Sequence, residues 1–190
     1  MPSGANSDRE LGTEEAAGLL RRGGVVAYPT ESCFGLGCDP WDRAALDRIC
    51  AIKGRAESKG VILLASAWDH LLPFLAPLPL RARRWAERVW PGPVTLLLPP
   101  AHEAPPWITG DHPRIAVRWT AHPGAAGLCH AFGGAVVSTS ANREGEPPLT
   151  SVAAVRAERG KEVDGVLAGE VGGAVAPSAI RDALTGTRLR

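Results

Sequence analysis

The sequence predicts an α/β fold built on a largely parallel or mixed sheet, and three observations predict it. Short apolar runs recur along the chain, at 24–28, 61–65, 94–98, 114–118, 135–137 and 166–168. Helical patterns alternate with them, which is the signature of a sheet with helices laid on it. Polar segments at Thr30, 53–59, Arg118, 138–142 and Ser178 all fall at strand ends. In folds of this class ligands lie beyond strand ends.

The elements follow in order. A helix fits Thr13 to Arg22, with Thr13 as cap, Glu14 and Glu15 in its first turn and Gly23 after it. Gly24 to Tyr28 reads as a buried strand stopped by Pro29. Asp42 to Lys53 is the next helix, with Leu46, Ile49, Cys50 and Lys53 on one face and Gly54 as its stop. Val61 to Ala65 is a buried strand, followed by helical patterns near Trp68–Leu75 and Leu80–Val89. Arg81, Arg84 and Arg88 share a face of the second; it could touch RNA, but a row of charge on a helix is read first as a solvated face. Trp90-Pro91-Gly92-Pro93 is a rigid turn, Val94–Leu98 and Arg114–Arg118 are strands, and Pro99 to Pro106 connects them. His122–Phe132 is a helix, and Ala135–Val137 a strand leading directly into Ser138-Thr139-Ser140-Ala141-Asn142. A helix near Ser151–Arg159, a strand near Val166–Ala168, a glycine-rich turn and Pro177–Asp182 complete the chain.

Composition bounds what this fold can do. A chain of 190 residues is expected to form one domain over 13–190, after a loose polar tail at 1–12. The net charge of +1 supplies no global field toward nucleic acid or membrane, so any anion site must be a local cluster. Cys33, Cys38, Cys50 and Cys129 form no C-x-x-C pair, and no His pair has zinc spacing, so reduced thiols are expected and no structural metal. No signal peptide is visible and the apolar runs are too short to cross a bilayer, which points to the cytoplasm.

The stretch Lys53-Gly54-Arg55-Ala56-Glu57-Ser58-Lys59-Gly60 holds two of the three lysines in a chain with 21 basic residues. Lysine meets an oxyanion as a point charge and arginine as a planar fork. The stretch therefore reads as a cradle for polyphosphate or carboxylate. Its structural reading is a solvated turn in which Lys53 caps the helix.

Six segments in register resemble the YrdC-like family, the threonylcarbamoyl-AMP synthases. They are Tyr28-Pro29-Thr30-Glu31 with Gly35-Leu36-Gly37; Lys53-Gly54-Arg55 with Lys59-Gly60; Trp90-Pro91-Gly92-Pro93-Val94-Thr95; Ala116-Val117-Arg118; Ser138-Thr139-Ser140-Ala141-Asn142; and Pro177-Ser178-Ala179-Ile180-Arg181-Asp182. The resemblance runs from about Leu11 to the end, and to the short, single-domain bacterial form. It implies a twisted, open mixed sheet flanked by helices around a concave basic cleft. It also implies a reaction: L-threonine, bicarbonate or CO2, and ATP give threonylcarbamoyl-AMP and pyrophosphate. Partner proteins then transfer the threonylcarbamoyl group to a tRNA adenosine, and direct tRNA contact is an open expectation.

That chemistry needs no protein nucleophile; it needs positioning and stabilised negative charge. Lys53 and Arg55 are the expected catalytic pair, and with Lys59 they suit the phosphates and the departing pyrophosphate. Arg118 suits the threonine carboxylate. By resemblance Thr30, Ser138 and Ser178 complete the threonine pocket, Ser140 and Asn142 contact ATP, and Arg190 closes over it. Mg2+ is expected with the triphosphate. Each residue also has an ordinary structural reading: a turn for Thr30 and Ser178, an ion pair for Arg118, caps for Ser138 and Ser140, and a structural role for His122. Leu64 stands where some relatives carry a His near the threonine pocket, so that contact is absent or apolar here. Lys53, Arg55 and Asn142 are kept, whereas a subgroup without known synthase activity lacks the Lys and the Asn. The rival readings are an RNA-binding or ribosome-associated protein using the same cleft, and a paralogous ATP-using enzyme.

Overall fold

The computed structural model describes residues 10–189. Residues 1–9 of the expected tail, and Arg190, lie outside the described residues. Leu11, near the end of that tail, is docked rather than loose. Its amide donates to the Val166 carbonyl at 3.0 Å and its side chain is buried.

Helix α1 spans Thr13–Arg21, and its N-cap is Gly12 rather than Thr13, with the Gly12 amide donating to Glu15 at 3.1 Å. Strands β1 (Val26–Pro29) and β2 (Phe34–Gly37) form an antiparallel hairpin. Helix α2 (Arg43–Lys53) is capped by Asp42, whose carboxylate accepts from the Ala45 amide at 3.0 Å. It ends at Gly54, which takes the left-handed conformation at φ 58°. Then come β3 (Ile62–Ala65), α3 (Leu80–Val89), β4 (Val94–Leu98), the short α4 (Pro106–Thr109) and β5 (Ile115–Trp119). Helix α5 (Pro123–Phe132), β6 (Val136–Ser140), α6 (Val152–Arg159), β7 (Gly165–Val166) and β8 (Ala179–Asp182) follow.

The helix expected over 68–75 is only a 3-10 turn, Leu72–Phe74; Pro73 cannot donate the bond a longer helix would need. Strand β6 extends to Ser140, so the hydroxyl-rich segment is part of the strand and not a loop beyond it.

The strands form one eight-stranded sheet in the order β7-β1-β2-β6-β3-β5-β4-β8. It is mixed: β1–β7, β3–β5 and β4–β8 are parallel and the other neighbours antiparallel. Alternate residues enter two apolar layers, as a pleat requires. Ala27, Leu63 and Val137 face the layer containing Leu46 and Ile49 of α2. Val26, Tyr28, Leu64 and Val136 face the layer made by α1 and α5, with Ala17, Leu20, Leu128 and Cys129. Burial there pushes the Cys129 thiol up to about 12, as expected of an unreactive core cysteine.

The second layer covers only part of its face. Leu64 pairs with Val136 and Arg118, and lies under the helices. The next row in register, Ser138–Ile62–Ala116–Leu97–Asp182, crosses five strands outside the layer that α1 and α5 cover. This row is the floor of the candidate site.

Candidate functional site

A cavity of about 800 Å³ opens over that floor. Its wall includes Thr30, Arg55, Lys59, Arg118, Ser138, Ser140, Asn142 and Ser178, eight of the ten residues singled out from the sequence. Lys53 is the described exception, and Arg190 lies outside the described residues. Leu64 is fully buried and takes no part in the wall.

The register gives the cavity two ends. Arg118 sits opposite Leu64, in the row of Val136, and Ser140 lies four residues further along β6. At about 3.3 Å per residue Val136 and Ser140 are about 13 Å apart along β6, and Arg118 lies two strands to the side of it.

At the first end Arg118 projects from β5 with its side chain 8% exposed. Its Nη1 lies 3.1 Å from Glu31 Oε2, and its buried Nε has no hydrogen-bond partner among the described residues. The Ser178 and Thr95 hydroxyls are 2.9 Å apart. Thr30 stands in the β1–β2 turn, which the register sets beside the Ser140 end of β6 and Glu31 joins to Arg118, and it donates its hydroxyl to the Cys33 carbonyl at 2.7 Å. It does serve the turn, and its oxygen still faces the cavity as an acceptor. Ser138 lies between the ends, beside Tyr28, whose phenol is driven up by burial and held back by that hydroxyl. His122 caps α5: its Nδ1 accepts from the Ala125 amide at 3.3 Å and its Nε2 lies 2.9 Å from the Glu170 carbonyl. Both ring nitrogens are thereby engaged in structure.

The second end is the turn after α2. Arg55 folds back so that Nη2 donates to the carbonyls of Gly60 at 2.8 Å and Lys59 at 3.2 Å. Its buried Nε is unpartnered among the described residues. Lys59 meets Glu144 at 3.1 Å on the surface. The turn is pinned to the end of α4: Val61 donates to Ile108 at 2.9 Å and Asp111 to Ser58 at 3.0 Å. Gly60, at φ 59°, makes this approach possible, because a Cβ there would stand 2.5 Å from the Thr109 carbonyl.

Lys53 ends the buried face of α2, as the helical spacing predicts, but its ammonium turns to the chain beneath the cavity. It donates to the Ser140 carbonyl at 2.7 Å and also to the Asn142 carbonyl. Arg159 of α6, fully buried, donates from Nε to the Ala141 carbonyl at 2.9 Å and pairs with Glu162 at 2.8 Å. Two cations thus grip three successive carbonyls, which fixes the strand end that presents Ser140 and Asn142. Burial, then the charges of Arg159 and Arg55, hold the Lys53 pKa below its ordinary value.

Sequence reasoning gave no role to Glu31, Arg114 or Arg159. Arg114 lines the cavity; its buried Nε makes no hydrogen bond among the described residues but pairs with the Asp182 carboxylate at 3.9 Å. It stands two strand positions before Ala116 on the same face, a signal the sequence carried once the strand was placed. Arg159 carried none, since burial of an arginine at a helix end is a tertiary fact.

A second cavity of about 510 Å³ lies apart, lined by Arg81, Arg84, Trp85 and Arg88. Among the described residues no helix is long and apolar enough to cross a membrane, and no group of three or more His, Cys, Asp or Glu is placed to hold a metal.

Comparison with known proteins places the fold. The Sua5/YciO/YrdC family model, described as telomere recombination, matches residues 18–190. A threonylcarbamoyl-AMP synthase of Nitrosococcus oceani is 51% identical over 175 residues, covering 92% of this chain and 95% of the relative. One of Halorhodospira halophila is 49% identical, covering 96% and 95%. Among solved structures, P. abyssi Sua5 complexed with L-threonine superposes with a TM-score of 0.84 at 33% identity. That match covers 90% of this chain and 50% of the other, so the chain spans about half the length of that protein. E. coli YciO superposes with a TM-score of 0.80 at 26% identity, covering 90% and 82%. Motifs, sheet order and relatives agree: the chain belongs to the Sua5/YciO/YrdC family.

Proposed function

We propose that this chain is a threonylcarbamoyl-AMP synthase, joining L-threonine, bicarbonate or CO2, and ATP into threonylcarbamoyl-AMP with release of pyrophosphate, and of water when bicarbonate is the donor. The observation that carries the reading is the two-ended cavity. One end offers an arginine fork and small hydroxyls; the other, further along β6, offers Arg55, Lys59, Ser140 and Asn142. The names of the curated relatives support it, and so does the L-threonine complex of the P. abyssi protein.

In this reading Arg118 holds the threonine carboxylate, with Thr30, Ser138 and Ser178 around the rest of the amino acid. The amine gives up its protons to solvent as it is carboxylated to a carbamate, and it lies toward the middle of the floor. A carbamate oxygen attacks the α-phosphorus, and the bond to the β-phosphate bridging oxygen breaks as pyrophosphate leaves. Arg55 and Lys59 line the second end and supply positive charge to the departing pyrophosphate, Lys59 exchanging Glu144 for it. Lys53 contributes its charge from beneath, through the carbonyls it holds at Ser140 and Asn142. Mg2+ enters as part of the substrate MgATP, neutralising phosphate oxygens. The product is an activated acyl donor, passed to proteins that modify a tRNA adenosine, which places the work in the cytoplasm.

The test is a split in substrate dependence. In pyrophosphate release, Arg118→Ala is expected to raise the threonine KM about 10- to 100-fold, the worth of about 1.5–3 kcal/mol for a charge-assisted contact, with the ATP KM little changed. Arg55→Ala is expected to abolish turnover. Wild-type kinetics in Arg55→Ala, or equal effects of Arg118→Ala on both substrates, would refute the assignment.

A further inference from the structure

Helix α3 pairs one of its arginines and leaves three without a partner. Arg83 meets Glu87 at 3.1 Å and stands over the Trp68 ring at 5.7 Å. Arg81, Arg84 and Arg88, at i, i+3 and i+7, share another face and line the cavity of about 510 Å³. Among the described residues none of these three has an acid, a hydrogen bond or an aromatic ring as partner. Solvation explains an arginine row on a flat helix face. It does not explain a cavity with an indole in its wall.

That indole is Trp85, half-buried, packed against the apolar layer beneath α3 and bordering the cavity among the arginines. The opposite wall is Ala183 and Gly186, in the turn after β8. Gly186 takes φ 81°, and the place of a Cβ there is open space. The cavity is thus a slot with an aromatic ring on one side and small residues on the other. It is separate from the main cavity. Asp182 faces that one and Ala183, the next residue, faces this one, so the two lie on opposite faces of the sheet at its β8 edge.

Arg81 to Arg88 cover about 10 Å of helix axis. Three guanidinium groups along that length suit successive phosphates of a nucleic acid strand, and an indole in a slot suits a base that is unpaired. An acidic protein segment would use the charges and leave the slot empty. A duplex keeps its bases stacked inside and also leaves it empty. The net charge of +1 gives no general attraction for polyanions, so binding here is a property of the local face.

We propose that this face of α3 binds single-stranded RNA, with phosphates on Arg81, Arg84 and Arg88 and one base stacked on Trp85. The site itself is independent of the synthase reading. Only the choice of RNA over DNA rests on it, because the group activated in that reaction is destined for an RNA.

The test is fluorescence anisotropy of a labelled RNA strand of about twelve nucleotides, titrated across a range of salt, with MgATP absent and then present. With three phosphates neutralised, log Kd is expected to rise with log salt at a slope of about 2. Arg81→Ala, Arg84→Ala and Arg88→Ala are each expected to lower that slope by about 0.7. Trp85→Leu keeps apolar packing and removes the ring, so it is expected to weaken binding at least fivefold with the slope unchanged. All four variants are expected to keep the wild-type circular dichroism spectrum and threonine-dependent pyrophosphate release within twofold. If Trp85→Leu does not fold, the arginine variants decide. Undetectable binding at low salt, unchanged affinity in a folded Trp85→Leu, or unchanged slopes in the arginine variants overturns the proposal. Displacement of the strand by MgATP, or a lower slope in Arg55→Ala, also overturns it, since the strand then lies in the main cavity. So does equal affinity for the annealed duplex or for polyglutamate, or tighter binding of the same strand as DNA. Wild-type pyrophosphate release that ignores threonine overturns the functional reading, and the α3 variants still decide this one.

Discussion

Replacing Arg159 by Met tests whether two buried cations hold the end of β6. The substitution keeps most of the apolar stem and removes a guanidinium that is fully buried. The Ala141 carbonyl then loses a charged donor at 2.9 Å, a loss of about 1.5–3 kcal/mol. The contact to Glu162 adds about 0–1 kcal/mol, because that carboxylate is 34% exposed. Against this, an unpartnered buried Nη2 disappears and Lys53 loses a cationic neighbour, together returning about 1 kcal/mol. The net cost is about 2 kcal/mol, or a Tm lower by about 4–8 °C for a domain of this size. The local effect is more specific. Ser140 and Asn142 lose part of their support, so the ATP KM is expected to rise while the threonine KM does not. Thermal melting and the two KM values together make the assay. A Tm within 1 °C of wild type, or equal changes in both KM values, would refute the clamp.

Two further outcomes follow from local geometry. Gly60→Ala is expected to destabilise far more than Gly54→Ala in urea denaturation, although both sit near φ 58°, because only at Gly60 does a Cβ meet backbone, at 2.5 Å. The Gly54 variant bears only the left-handed cost of about 1–2 kcal/mol. Burial pushes the Asp182 pKa up, but the Thr185 and Leu184 amides and Arg114 outweigh it, so the carboxyl stays below its ordinary value of 3.8. A depressed folded pKa means this contribution to stability is present above 3.8 and lost as pH falls below it, so Asp182→Asn is expected to flatten the acid limb of a stability-against-pH curve.

Much of this was legible in the sequence because it is local. The i, i+3, i+4, i+7 face of α2 places Lys53 at the end of a buried stripe, and Gly54 takes the left-handed stop that glycine is there to supply. The alternation of Ile115 and Val117 puts Arg118 on the opposite face of β5, toward the cavity. What the sequence hid is what depends on register between distant segments. The antiparallel β1–β2 hairpin brings Glu31 to Arg118 across 87 positions of chain, and no spacing rule encodes that. The sequence reads Lys53 as a phosphate ligand from its type and neighbours. The structure adds that its ammonium donates to the carbonyls of Ser140 and Asn142, 87 and 89 residues away, which no local pattern announces. Arg159 was hidden for the same reason: as the last residue of α6 it reads as a surface charge, until the packed structure buries it.

The most direct test of the central claim is pyrophosphate release from ATP with bicarbonate present, measured with and without L-threonine. The two-ended cavity predicts release that saturates with threonine and nearly vanishes in its absence, with label from bicarbonate recovered in an adenylate. Release at the same rate without threonine would contradict the account.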